Sequence, residues 1–277
     1  MKTNFGQTKF VYFNYHASLK KKIDQGMLTG YKIVHRYKNI APCMILFFCD
    51  GLQKPVRVHM FDYYLDMFDK LKLCVDNNSM KIATLFGTRL KTNNYLINFD
   101  GKNVLVEASA PLDEILKVLN GENLDAVLIT HSHFDHIFTI GQILQKFPSC
   151  TLVAHKNALK NLVQGQRWVE PLSLPKNVVT IDGDVTLNFL PKPVSVLCTP
   201  GHSNCSVCYV IDDKIFSGDT MFFQTCGRCD FPTGDEFEMK NSLKKLLKFA
   251  PHFKVFPGHG QSTTIENEQQ TYLFLED

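Results

Sequence analysis

Six residues constrain this chain more than any others: His131-Ser132-His133-Phe134-Asp135-His136. They follow directly on Leu124-Asp125-Ala126-Val127-Leu128-Ile129-Thr130, an apolar run that reads as a buried strand. A strand that stops and at once presents three imidazoles and a carboxylate reads as a metal site on a loop at a sheet edge. Imidazole nitrogen and carboxylate oxygen suit zinc, iron or manganese, and no thiolate is required. The chain has only 10 histidines in 277 residues, so three within six outweigh the alternative of a polar turn that happens to hold histidines.

The same arrangement recurs three times. Val194–Cys198 reads as a strand followed by Thr199-Pro200-Gly201-His202. Asp213–Phe216 reads as a strand followed by Ser217-Gly218-Asp219. Phe253–Phe256 reads as a strand followed by Pro257-Gly258-His259-Gly260. Each time a His or Asp arrives beside a glycine, which permits the sharp turn and close backbone approach of a crowded site. His131, His133, Asp135, His136, His202, Asp219 and His259 together offer five imidazoles and two carboxylates, enough for two divalent metal ions.

The rest of the pattern gives an α/β chain in two parts, 1–79 and 80–277, with Asp76-Asn77-Asn78-Ser79 as the linker. The first part reads as a small α+β module. It has a short basic helix over Ser18–Ile23, strands over Tyr31–Tyr37 and Met44–Phe48, and an amphipathic helix carrying Met60, Phe61, Tyr64, Leu65, Phe68 and Leu71. His16, His35 and His59 show no mutual ligand spacing and are read as structural. In the second part, strands are expected over Lys81–Phe86, Tyr95–Phe99 and Asn103–Val106, with an Asp100-Gly101 hairpin turn. Helices over Pro111–Leu119, Ile140–Phe147 and Ala158–Val163 alternate with the strands that end at the histidine motif and at His155. That alternation indicates an α/β sandwich.

Charge and cysteine content narrow the setting. Residues 1–80 carry 12 Lys/Arg against 6 Asp/Glu, and the remainder carries 18 against 21. A mildly basic module is compatible with nucleic acid as partner, although a solvated lysine surface explains it as well. Nine scattered cysteines do not read as a disulfide framework. No apolar run reaches the roughly 18 residues of a membrane span, and residues 1–7 lack the apolar core of a signal peptide. The expectation is a cytoplasmic protein without a membrane partner. Cys205-x-x-Cys208 and Cys226-x-x-Cys229 have the spacing of a structural zinc site. Because they flank a strand that ends at Asp219, their sulfurs are expected to diverge and stay reduced.

The order His-x-His-x-Asp-His, Thr-Pro-Gly-His, Ser-Gly-Asp-Thr, Gly-Arg-x-Asp and Pro-Gly-His-Gly resembles the metallo-β-lactamase superfamily, and within it the small glyoxalase II-like hydrolases. The tail from Pro257 through Ile265 is close to that branch. The resemblance covers about residues 80–277 and implies an αββα sandwich with its site at one edge of two packed sheets. It implies that His131, His133 and His202 hold one metal, that Asp135, His136 and His259 hold the other, and that Asp219 bridges both. The chain departs from the family at Glu107-Ala108-Ser109, where an Asp-Pro-Gly-like turn is usual, and at Cys205, where glycine is usual.

The activity implied is hydrolysis of a thioester or similar small acyl compound by a metal-bridging hydroxide. Asp135 is the catalytic candidate, steering the hydroxide or accepting its proton. Zinc is the first expectation, with iron or manganese compatible. A persulfide dioxygenase-like enzyme with one iron is the first alternative, since Cys226 to Asp230 resembles an element of those proteins. A metal-dependent ribonuclease with a basic N-terminal binding module is the second. Arg228 and Asp230 read as an ion pair shaping the site loop, with anion binding by Arg228 as the sharper reading. Antibiotic hydrolysis and a degenerate, non-enzymatic domain fit the filled ligand positions less well.

Overall fold

The computed structural model describes residues 28–37, 41–49, 56–59, 80–166 and 168–272. The chain separates into two compact units, Met1–Lys81 and Ile82–Asp277. In the first, strands β1 (Leu28–Tyr37), β2 (Ala41–Cys49) and β3 (Val56–His59) form an antiparallel sheet in that order. The two strands expected there lie within β1 and β2. The expected helices over residues 18–23 and 60–71, the linker at 76–79 and His16 lie outside the described residues.

The second unit is built on two six-stranded sheets. The first runs β4 (Lys81–Phe86), β5 (Asn93–Phe99), β6 (Lys102–Val106), β7 (Ala126–Leu128), β8 (Thr151–His155) and β9 (Val178–Ile181). β5 and β6 form an antiparallel hairpin through Asp100 and Gly101, whose φ values of 50° and 75° make the left-handed turn that matches strand twist. From β6 to β9 neighbouring strands are parallel, so each connection crosses over through helix. These helices are α1 (Leu112–Leu119), α2 (Phe134–Ile137), α3 (Ile140–Lys146) and α4 (Lys156–Gln164). Leu105, Val127, Ile129 and Leu152 of the sheet pack with Ile115, Ile137, Ile143 and Leu162 of the helices, all fully buried. Strand β7 is buried along its whole length, as a parallel strand covered on both faces must be.

The second sheet runs β10 (Val185–Leu187), β11 (Val194–Cys198), β12 (Val207–Ile211), β13 (Lys214–Gly218), β16 (Lys254–Pro257) and β17 (Thr263–Thr264). A small hairpin, β14 (Met221–Phe222) with β15 (Thr225–Cys226), follows β13. Helices α5 (Glu236–Leu246) and α6 (Ile265–Thr271) cover this sheet, with Met239, Leu243, Leu246 and Ile265 packed against Val210, Ile215 and Val255. The sheets meet face to face. Tyr95 of β5 packs on Phe216 of β13 at 5.5 Å and on Phe256 of β16 at 5.4 Å between ring centroids. Tyr209 of β12 donates its hydroxyl hydrogen across the interface to the carbonyls of Ile129 (2.8 Å) and Val153 (3.2 Å). The result is the αββα sandwich. Among the described residues no helix is long and apolar enough to cross a membrane.

Strands β9 and β10, the β14–β15 hairpin and helix α6 have no counterpart in the sequence reading, and two further features depart from it. Helix α5 carries few apolar residues, and its start is set by Asp235, whose carboxylate accepts from the Glu238 amide at 2.9 Å. Asp135 and His136, read as loop residues, lie in the one-turn helix α2.

Candidate metal centre

Each candidate ligand sits just past the end of a strand, and all the strand ends concerned lie at one edge of the sandwich. The run His131–His136 follows β7, His202 follows β11, Asp219 follows β13 and His259 follows β16. β13 and β16 are parallel, with Gly218 in register with Pro257. That pairing delivers Asp219 and His259 to the same place.

The structure brings the seven side chains together. One ring nitrogen each of His131, His133 and His202 lies within 4.8 Å of the others, and so does one donor each of Asp135, His136 and His259. His133 Nδ1 is 3.1 Å from His131 Nε2 and 2.8 Å from His202 Nε2. His259 Nε2 is 3.2 Å from Asp135 Oδ2. Asp219 stands between the groups, with Oδ2 3.4 Å from His202 Nε2 and Oδ1 3.4 Å from His136 Nε2. Gly258 is needed beside them: a Cβ there would fall onto Asp219 Oδ1 and into the His136 ring.

The donor chemistry fits divalent cations. His136 Nε2 and Asp219 Oδ1 are buried, and no hydrogen bond satisfies either among the described residues. Such orphaned polar atoms are costly unless something not made of protein lies between them. Burial lowers the pKa of His131 well below its usual value, and crowding by neighbouring imidazoles adds to this. Burial likewise brings His133 down to about 4, with His202 and His136 contributing. Neutral rings keep the lone pairs that metal ligation needs. His136 is the exception: burial pushes it down, but Asp219 and Glu107 raise it well above its usual value, so it carries a proton that a bound cation would displace, and its charge outweighs burial in keeping Asp219 ionised.

Outer partners fix the rings. His202 Nδ1 lies 2.7 Å from the Arg228 carbonyl, to which it donates when that nitrogen carries the hydrogen, leaving Nε2 for a metal. His131 Nδ1 lies 3.1 Å from Thr130 Oγ1, which in turn donates a very short hydrogen bond to Glu107. Glu107 Oε1 is also 3.1 Å from His136 Nδ1. Thr92 Oγ1 donates to Asp135 Oδ2 at 2.8 Å. Asn93 ties down the His259 loop, donating through Nδ2 to the carbonyls of Pro257 (3.0 Å) and Gly260 (2.9 Å). Partners of this kind orient ligands and tune their basicity. Glu107, Thr92 and Asn93 are absent from the sequence-derived site. For Glu107 the signal existed, since it too is a carboxylate at the end of an apolar strand.

The cysteines go elsewhere. Cys205 joins the core beside the first sheet, whereas Cys208, Cys226 and Cys229 pack with the core beside the second. All are free thiols, and no cysteine enters a candidate metal cluster among the described residues. Arg228 and Asp230 form an exposed two-pronged ion pair at 2.6 and 2.5 Å.

An αββα sandwich with imidazoles and carboxylates converging at one sheet edge defines the class: the metal-binding hydrolase fold. The chain belongs to the metallo-β-lactamase superfamily, whose family model matches residues 87–259. The probable metallo-hydrolase YqgX of Bacillus subtilis (strain 168) is 30% identical over 198 residues, spanning 67% of this chain and 93% of that protein. A hydroxyacylglutathione hydrolase of Aliivibrio fischeri (strain MJ11) is 35% identical over 136 residues, 49% of this chain and 48% of its own length. The solved structure of TTHA1623 in a di-iron-bound form is similar with a TM-score of 0.60 and 27% identity, covering 68% of this chain and 98% of that one.

Proposed function

We propose that the protein hydrolyses a thioester or related small acyl compound at a site holding two divalent ions, zinc first among them. The observation that carries this reading is Asp219, which sets one oxygen against His202 and the other against His136. A carboxylate so placed can offer one oxygen to each of two ions. His131, His133 and His202 would hold the first, and Asp135, His136 and His259 the second. Ions bound there supply Lewis acidity, lowering the pKa of water to about 7 and polarising an acyl carbonyl.

The remaining work falls to the chain. Burial tends to raise the Asp135 carboxyl, but its hydrogen bond to His259, the His136 charge and the Thr92 hydroxyl hold it well below the usual carboxylate range. A carboxylate that ionised is a weak base and a good hydrogen-bond acceptor. That suits Asp135 to orienting the attacking water, with acceptance of its proton as the alternative role. Glu107, Thr130 and the Arg228 carbonyl keep three rings aimed at the centre. A thiolate departs without strong protonation, which matches a site whose described acids are committed to holding other groups. The similarity to a hydroxyacylglutathione hydrolase supports thioester chemistry.

Elemental analysis of purified protein, paired with a panel of thioesters, lactones and esters, tests the reading. Two ions per chain and thioester turnover that chelation abolishes are expected. One iron with O₂ uptake, or no cleavage across the panel, overturns it.

A further inference from the structure

The chain's single tryptophan, Trp168, sits where tryptophan is seldom found. It has a φ of 70° and its side chain is 57% exposed. Bulky residues rarely adopt that left-handed backbone, and such outliers gather at binding sites. The turn that carries it is closed by reciprocal backbone hydrogen bonds of 2.9 Å between Gln166 and Val169. The turn is fastened to the metal loop: the Gln166 side-chain amide donates to the Ser132 carbonyl, between His131 and His133. The Trp168 ring packs on Phe134, with centroids 4.7 Å apart.

A second exposed aromatic stands by the preceding ligand. Phe231 lies edge-on to His133 at 5.3 Å and to His202 at 6.1 Å, and it is 39% exposed. Its ring is covered by the Arg228 guanidinium at 4.4 Å. That cation is paired with Asp230, so the ion pair covers one face of the ring and the apolar surface left is the rest of the ring, edge-on to His133 and His202. Phe231 thus packs on the ligand His133, and Trp168 on the next residue, Phe134, in a turn tied through Gln166 to the Ser132 carbonyl.

We propose that Phe231 and Trp168 form an apolar acyl-binding rim, so that the site takes acyl compounds with a hydrocarbon chain of several carbons in preference to short or polar acyl groups. The inference rests on the hydrolytic reading above for the position of the scissile carbonyl. The rim itself can be tested without turnover. The probes are sodium octanoate and sodium acetate, added to the zinc-loaded full chain. Trp168 emission is followed selectively and affinity is measured by calorimetry.

Octanoate is expected to bind saturably, to shift Trp168 emission, and to bind at least about tenfold tighter than acetate, since each buried methylene adds affinity. Trp168→Ala and Phe231→Ala should each bring octanoate towards acetate with zinc content unchanged, and Phe231→Leu should retain most of the preference. Equal affinities, no octanoate binding, or octanoate binding that moves neither Trp168 emission nor responds to the substitutions overturns the rim. A protein that binds octanoate in this way but cleaves no acyl compound disproves the hydrolytic reading alone. One that cleaves acetyl and octanoyl thioesters with equal KM disproves the rim alone.

Discussion

The two halves of the candidate centre are built in different ways. The half on the first sheet is contiguous: His131, His133, Asp135 and His136 come from one loop and one helical turn after β7. The half on the second sheet is dispersed: His202, Asp219 and His259 each come from a different strand. The contiguous half is braced by side chains, with Glu107 reaching His136 directly and His131 through Thr130. The dispersed half is held largely through main chain, by the Arg228 carbonyl on His202 and by Asn93 on the carbonyls around His259. Local sequence can deliver four donors at once but cannot aim buried rings without polar partners. Donors spread over three strand ends get their aim from the sheet and need only their loops pinned.

Substitutions can break or sharpen that contrast. Asp219→Ala removes a carboxylate of the dispersed half that reaches His136 of the contiguous half as well as His202. It should give the largest effect, with turnover lost and metal content falling below two ions per chain by elemental analysis. Retention of both ions would show that the halves do not depend on it. Glu107→Gln keeps the volume but removes the charge from the brace of the contiguous half. Metal affinity, measured by competition with a chelator, should fall by about 10–100-fold, with little change in melting temperature. Asn93→Ala should act in the reverse order. It removes the donor to the part-buried Gly260 carbonyl and one of two donors to the Pro257 carbonyl, where the Tyr95 hydroxyl remains, costing about 1 kcal/mol of stability in denaturant titrations, and affinity should fall only as the His259 loop loosens. Arg228→Ala should have the smallest effect on metal affinity, because the main-chain carbonyl, not the exposed guanidinium, meets His202. A loss as large as that of Glu107→Gln would mean the dispersed half is braced by side chains after all.

This division also explains what the sequence discloses. The contiguous half is visible as three histidines in six residues, and the dispersed half as a recurring order of strand, glycine and donor. Strands alternating with helices over 80–277 indicate an α/β sandwich, and the resemblance to the metallo-β-lactamase superfamily implies its αββα layering. Glu107 is harder to see, because its partners Thr130 and His136 are 23 and 29 positions away and only the β6–β7 pairing brings them near. Thr92 and Asn93 sit at the start of β5, just ahead of the strand expected over Tyr95–Phe99. The partner of Thr92 is Asp135, 43 positions on beyond β7, and the partners of Asn93 lie on the facing sheet. Cys205 and Cys208 have the spacing of a zinc pair, yet β12 begins between them and sends them into separate cores. The helix α5 hides because its buried side is only Met239, Ser242, Leu243 and Leu246 in a largely charged segment.

Tyr209 is buried on the second sheet, yet its hydroxyl is fastened to carbonyls at Ile129 and Val153 of the first. Ile129 lies two residues before His131. The rivet that keeps the layers in step therefore lies almost beneath the first ligand, and the alignment of His202, Asp219 and His259 against the run His131–His136 is gauged by how the two layers seat on each other. Repacking that seam would shift the donors of one sheet against those of the other without altering any ligand.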